Sequence, residues 1–401
     1  MEICNSVECT GCMACRNICP VDAIQVKADR YGFYIPVIAE DKCLKCGKCK
    51  KICPNNYLVE GESSNQIVLA TWRKEKEIRE KSTSGGIFTG VAEWIIQQDG
   101  VVFGAIMDKA HNVRHSLART MAEVEAMRGS KYVQSDVGYS YRAVKKELET
   151  GRVVLYTGTP CQLAGLYRYL EKPYDNLYTM DIVCHGVPSP KVFKDYIQYI
   201  EESAHDEAIE ISFRKKKPSW SVFSMYIKFQ TGKEYIKDAY HDPYLVGFLD
   251  DYLSRECCYT CKYTRESRLG DITAADFWSY VSYTYKERNT EKGISLVILN
   301  TEKGKRIFED LKDKYFFVER SIQEAKRGNR CLTKPYGKAK KREEFWKEYN
   351  ESNDFIRCAS KFFPKKKRSL KHRISEMINR YYYIMPNCVK KKLKAYWENK
   401  K

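Results

Sequence analysis

The chain has 401 residues, 43% of them hydrophobic, enough for two or three domains with sizeable cores, and no apolar run reaches the ~18 residues of a membrane-spanning helix. Its net charge of +18 is concentrated: residues 361–401 hold 14 Lys and Arg against 2 Asp and Glu, so the basic character belongs to a tail and no nucleic-acid partner is expected. Seventeen cysteines are too many for chance, and because a reducing compartment forbids a disulfide framework, they point to metal or redox chemistry.

The first residues, MEICNSVECTG, carry neither a basic stretch nor an apolar one, so a secretory leader is not expected and the location should be cytoplasmic. Two segments then repeat at an offset of 34: CTGCMACRNICP, with Cys9, Cys12, Cys15 and Cys19, and CLKCGKCKKICP, with Cys43, Cys46, Cys49 and Cys53. Each reads C-x2-C-x2-C-x3-C-P. Three thiolates so spaced wrap one [4Fe–4S] cube, and the fourth ligates the other cluster. Cys9, Cys12, Cys15 and Cys53 are therefore assigned to one cluster, and Cys43, Cys46, Cys49 and Cys19 to the second. Zinc is the rival for C-x2-C pairs, but two complete runs ending in Cys-Pro argue against it. Cys4 has no repeat partner and reads as a spare thiol. The segment resembles bacterial two-cluster ferredoxins, which sets a first domain at 1–58.

After a polar link, strand-like and helix-like runs alternate. IVLATW (67–72) and VVFGAIM (101–107) read as strands, with a helical stripe at Ile87, Val91, Trp94 and Ile95 between them. Ser135 is expected to cap a helix over 136–149. VVLYTG (153–158), LYTMDIVC (177–184) and ISLVILN (294–300) read as buried strands, and 207–236 as an antiparallel insertion. The fold class expected is α/β with α+β elements: the ferredoxin domain, then a mixed-sheet α/β body over 66–330, in parts 66–150 and 151–330, then a helical basic tail over 331–401. Neither a G-x-G-x-x-G after a strand nor a Walker A motif is present, so neither a Rossmann site nor a P-loop is supported.

Other chemistry must come from scattered motifs. KSTSGGIF places Ser84, Gly85 and Gly86 before a helix, where an ordinary N-cap and a phosphate site are both open readings. RGSKYVQS adds Ser130, Lys131 and Tyr132, either anion and ring contacts or a solvated loop. Cys161, in LYTGTPCQLAGL, sits where a strand turns into a helix, a place that lowers a thiol's pKa and suits a nucleophile or a ligand. Cys184 ends the next strand-like run, and Cys258 and Cys261 have the spacing of a metal pair. Together these make four thiolates, the number a cluster needs. Burial of Cys161 and Cys184 as small core residues is the alternative. Cys331, Cys358 and Cys388 have no partners at metal spacing and read as structural.

Taken in order, STSGG, GSKYVQS, VLYTGTPCQLAGL, CHGVPSP and CYTCKYTRESRLGDITAADFW resemble the family of coenzyme F420 hydrogenase/dehydrogenase beta subunits. The resemblance implies an iron–sulfur flavoprotein oxidoreductase that binds FAD and a further [4Fe–4S] cluster in its α/β body. It implies that Cys161, Cys184, Cys258 and Cys261 hold the third cluster, that Ser84, Gly85, Gly86, Ser130, Lys131 and Tyr132 contact FAD, and that His185 lines the flavin pocket or orients its loop. Single electrons would pass from the ferredoxin-type clusters to FAD and on to a two-electron acceptor, an F420-like carrier or a substrate of surface-polysaccharide synthesis. A redox partner protein, such as a ferredoxin or a hydrogenase-type subunit, is implied as well. The alternative is an electron-transfer subunit that feeds a partner enzyme. Ala275 and Ser279 stand where the family has glycines, so a reshaped cofactor pocket is expected there. In the tail, Ile374, Met377, Ile378, Tyr381 and Tyr382 form one apolar helical face among basic residues, a pattern suited to peripheral contact with an anionic membrane.

Overall fold

A computed structural model describes residues 2–287, 290–364, 374, 377–378 and 381–398. The N-terminal segment is a pair of short helical turns, Ala14–Ile18 and Lys48–Lys51, flanking a two-stranded antiparallel ribbon of β1 (Ile24–Ala28) and β2 (Tyr34–Ile38). Each turn starts from a left-handed residue, Met13 (φ 57°) or Gly47 (φ 72°).

The body is built on one mixed eight-stranded sheet. Its strands are β3 (Ile67–Arg73), β4 (Val101–Met107), β5 (Val113–Ala118), β6 (Val154–Gly158) and β7 (Leu177–Ile182). A separate antiparallel sheet of β8 (Ala208–Lys215), β9 (Ser224–Phe229) and β10 (Glu234–Asp238) follows. The large sheet resumes with β11 (Ile272–Asp276), β12 (Ser295–Leu299) and β13 (Tyr315–Arg320), in the order β13-β3-β12-β11-β7-β6-β4-β5. Its centre, β4, β6, β7 and β11, pairs in parallel, and the remaining ladders are antiparallel. β12 is buried along its whole length, as a strand covered on both faces must be.

Helices cover both faces. Ile87–Ile96 and Glu302–Leu311 pack on one, with Val91, Ile95, Ile307 and Phe308 in their core. Ser140–Glu149 and Pro160–Leu170 pack on the other, and their core takes in Met13, Ala14 and Ile52 of the N-terminal segment. The helix expected from residue 136 starts instead at Ser140. Ser135 does not cap it, because its hydroxyl bonds His115 Nδ1 (3.1 Å) and accepts from Gln162 (2.9 Å).

The segment expected to open the basic tail is folded into the body. Helices Arg342–Ser352 and Phe355–Phe362 supply Phe345, Trp346, Tyr349 and Phe355 to the largest core cluster. Aromatic spacing, rather than charge, governs this stretch. All five residues of the apolar tail stripe are among the described residues: Ile374, Met377 and Tyr381 are exposed, Ile378 is half-buried and Tyr382 is buried. Tyr382 packs edge-on to Tyr283 at 5.4 Å, and a last helix runs over Asn387–Glu398. No helix among the described residues is long and apolar enough to cross a membrane.

Candidate iron–sulfur and flavin site

The first cysteine set converges. Burial pushes the Cys12 thiol up to about 12, with the Cys53 and Cys9 thiols adding, and raises Cys15 with Cys12, Cys9 and Cys53 adding. Cys49 is raised by burial and then by Cys43 and Cys46. Cys19 packs against the small core of Cys15, Cys49, Cys53, Ile3 and Ile24, and its sulfur accepts from the Ala23 amide at 3.3 Å. Cys4 is not remote from the set: it hydrogen-bonds both Cys53 and Cys9 and holds both below the usual thiol range.

A second gathering lies beside the first. A cavity of about 150 Å³ is lined by Cys161, Cys184, Cys258 and Cys261, with Glu8, Thr10 and Asn55 of the N-terminal segment in its wall. These four cysteines come from three separate stretches of chain. Pro160 opens the helix that carries Cys161, and Gln162 Oε1 accepts from the Thr159 amide at 2.9 Å to fix its first turn. Cys184 lies two residues past β7. Cys258 and Cys261 sit on and just after a 3₁₀ turn, Glu256–Thr260. Gly186, at φ 150°, lets the Cys184 loop close on that turn, since a Cβ there would stand 2.6 Å from Ser254 Oγ. Arg268 ties the pieces together. Its buried guanidinium donates to Asp181 Oδ2 (3.1 Å) and the Ile182 carbonyl (2.9 Å) on β7, and to the Tyr263 carbonyl (3.1 Å) after Cys261.

The lowered pKa expected for Cys161 is not found. Burial raises it well above the thiol range, with Cys261 adding, and the helix N-terminus does not overcome this. Cys184 is raised in the same way. Buried thiols held up by one another are poor nucleophiles, whereas a metal deprotonates coordinating thiols outright. Among the described residues, no three His, Cys, Asp or Glu side chains form a preformed site for a single ion. The all-thiol donor set fits an iron–sulfur cube. Cys331, read as structural, is buried beside this set: it raises Cys184 and is itself raised by Cys261.

The loops expected to meet a flavin are joined to each other. The Ser130 amide donates to Thr83 Oγ1 (3.1 Å), and Arg128 donates to the Ile78 carbonyl (3.0 Å). Lys131 Nζ turns back onto the Ala126, Arg128 and Gly129 carbonyls, and burial pushes it down to about 7. The Gly85 amide is spent on Ser295 Oγ (2.9 Å) and its carbonyl accepts from the Arg73 amide, so this glycine seats the loop and offers no free amide. Ser84 Oγ is buried without a hydrogen-bond partner.

Two further cations close this region, and the sequence reading missed them. Arg214 and Lys216 lie in FRKKKPSW, where alternate basic residues at the end of a strand point inward, a signal present in the sequence. Arg214 is 5% exposed and pairs with Asp276 at 2.5 Å, yet its Nε and Nη2 have no partner. Its Nη1 also reaches Tyr132 OH (3.3 Å). Lys216 Nζ donates to the Arg79, Ser84 and Lys292 carbonyls, and burial lowers it to about 7. Asp276 also accepts from Trp220, whose ring stacks on Trp278 at 5.0 Å. Ala275 packs inside the fold and the Ser279 hydroxyl is spent on the Glu324 carbonyl. His185 lines the cysteine cavity, bonds Asp251 (3.0 Å) and meets Phe248, which in turn meets Tyr132 at 4.6 Å. Aromatic contacts thus connect the cavity to the basic loops.

An N-terminal dicluster module docked on an α/β body with its own cysteine set defines an iron–sulfur protein. Family models agree: residues 8–57 match the 4Fe-4S dicluster domain, 68–139 the N-terminal and 151–325 the C-terminal part of the coenzyme F420 hydrogenase/dehydrogenase beta subunit. The chain belongs to that family and carries an N-terminal dicluster domain with two [4Fe–4S] clusters. It is 21% identical over 331 residues to a subunit of the F(420)H(2) dehydrogenase of Methanosarcina mazei, covering 78% of this chain and 84% of that one. It is 24% identical to the coenzyme F420-dependent sulfite reductase of Methanocaldococcus jannaschii, over 76% of this chain but only 46% of that protein. A chain of the F420-reducing [NiFe] hydrogenase complex of Methanosarcina barkeri is similar at 19% identity and a TM-score of 0.46, covering 73% of this chain and 92% of its own.

Proposed function

We propose that this chain is an iron–sulfur flavoprotein that relays electrons from the dicluster domain (1–58) through a third [4Fe–4S] site to FAD in the body (66–330), and on to a two-electron acceptor. The observation that carries this reading is the single cavity gathering Cys161, Cys184, Cys258 and Cys261 against the wall of the dicluster domain. When bound, the clusters carry single electrons and the flavin pairs them. The chain's own residues hold and space these groups. Cys12 Sγ lies against the helix that carries Cys161, 3.0 Å from where a Cβ at Gly165 would stand, which supports a short path between the two sites. Gly86 and the helix behind it, Ser84, Ser130, Tyr132 and Arg214 offer an anion such as a pyrophosphate a half-buried cradle, to which Lys131 and Lys216, their ammonium donors spent on carbonyls, add charge alone. The unpartnered atoms of Ser84 and Arg214 fit that use.

The acceptor is left at the level of class. F420-type acceptors are favoured by the names of the relatives, whereas a polysaccharide-pathway substrate has no support among them. The relatives' names also favour the second reading, in which the chain is one part of a complex and feeds a partner enzyme. The test is flavin content after anaerobic reconstitution. One FAD per chain in the native protein, lost in Arg214→Met, is expected; no flavin in the native protein would overturn the reading.

The basic C-terminal segment is proposed to touch an anionic membrane surface, supported by its charge and by exposed Ile384, Val389 and Tyr396. Liposome flotation should compare the full chain with a truncation after Phe363, because an earlier cut removes core residues. Equal flotation would contradict the contact.

A further inference from the structure

Arg255 sits between the two cysteine gatherings. Its backbone amide donates to the Val187 carbonyl (3.0 Å), and its carbonyl accepts from the Cys258 amide (3.0 Å), on the side of the body's cysteine set. Its side chain reaches the other way. Nε donates to the Cys9 carbonyl (2.7 Å) and Nη1 to the Tyr34 carbonyl (2.9 Å), both in the dicluster domain. Arg255 is 4% exposed, and its guanidinium carbon lies 5.5 Å from the Phe33 ring centroid. The thiols that act on it most strongly are Cys9, Cys257 and Cys258. Among the described residues it forms hydrogen bonds to carbonyls and no ion pair with a carboxylate, and Asp29 acts on it from a distance, after those thiols.

A buried guanidinium without a carboxylate partner is costly unless other negative charge faces it. Four thiolates around a cluster supply that charge on either side. Adding an electron to a cluster makes it more negative, and a fixed positive charge nearby favours the reduced form. Arginine stays protonated at all working pH values, so this bias does not vary with pH.

We propose that Arg255 is a shared positioning residue that raises the reduction potentials of both adjoining clusters, the one held by Cys9 and the one at Cys258, and so makes the pair easier to reduce. The proposal rests on the third-cluster reading for one of its two sites. Each cluster takes up one electron, from the 2+ to the 1+ state, with no bond made or broken and no proton moved.

The test is a dithionite titration of the reconstituted full chain, followed by electron paramagnetic resonance. Arg255→Gln removes the charge, and Gln134→Glu, whose side chain shares the Tyr34 carbonyl with Arg255, neutralises it while leaving the arginine in place. Each is expected to lower both potentials by at least a tenfold shift in the reduction equilibrium, about 59 mV for one electron. Arg255→Lys, which keeps the charge, should shift them less. Unmoved potentials in either fully loaded variant would overturn the proposal. Loss of iron from both variants would overturn it too, by assigning Arg255 to holding the domains together. If the native protein lacks the third cluster, the relay through that cluster fails on iron count, while the Cys9 cluster still reports the effect of Arg255.

Discussion

Side chains buried with their charge decide much of the chemistry here. Lys131 has its pKa pushed down by burial to about 7 from an ordinary 10.5. Between those values the unfolded chain binds the extra proton, so this group's cost to stability is full below about pH 7 and fades as pH rises toward 10.5. An anion bound beside Lys131 favours the ammonium and reverses the balance, so binding takes up a proton above pH 7. FAD affinity is therefore expected to weaken as pH rises from 7 to 9, and Lys131→Met to flatten that dependence; calorimetry in buffers of different ionisation enthalpy measures it. Arg268 makes a second case. Its side chain and that of Asp181 are 1% and 0% exposed. Arg268→Met leaves Asp181 charged and unpaired, at a cost of about 3–5 kcal/mol. Chemical denaturation should show that loss, and pairing it with Asp181→Leu should recover part of it.

Among the elements, the helix Pro160–Leu170 has two duties. Its first turn presents Cys161, and one turn on, Gly165 packs against the dicluster domain. A Cβ at Gly165 would stand 3.0 Å from Cys12 Sγ and 2.9 Å from Tyr141 OH. Gly165→Ala is expected to destabilise by about 1–3 kcal/mol and to disturb the cluster held by Cys12 before any other; thermal unfolding and the resonance spectrum check this. Most central elements were legible in the sequence because they are apolar and continuous: β3, β4, β6 and β12 fall where hydrophobic runs place them. β5 and β13 were not read, since VRHSLA and YFFVER alternate with polar and charged residues at the sheet's edges. The capping role expected of Ser135 failed because a buried histidine, His115, claims its hydroxyl, a contact between distant residues that no local pattern encodes.

Over the whole molecule, the proposed relay requires the dicluster domain to be seated on the body. Arg142 fastens the two together, donating to the Asn17 (2.6 Å) and Cys19 (2.7 Å) carbonyls. Its pair with Asp22 adds little, because Asp22 is 55% exposed. Arg142→Ala is expected to cost about 1–3 kcal/mol and to speed proteolysis in the link after residue 58, with the body surviving digestion. The cysteine runs were fully legible because their spacing is local and repeated. Of the proposed cradle, Lys131 stood in a recognisable motif, while the alternate basic residues Arg214 and Lys216 of FRKKKPSW were overlooked, because only the fold shows that they reach Tyr132 and Ser84. The most direct measurement is the iron content of anaerobically reconstituted protein, native against Cys161→Ala. The account predicts about twelve irons per chain in the native protein and about eight in the variant, with the dicluster signals kept. About eight in both would contradict it.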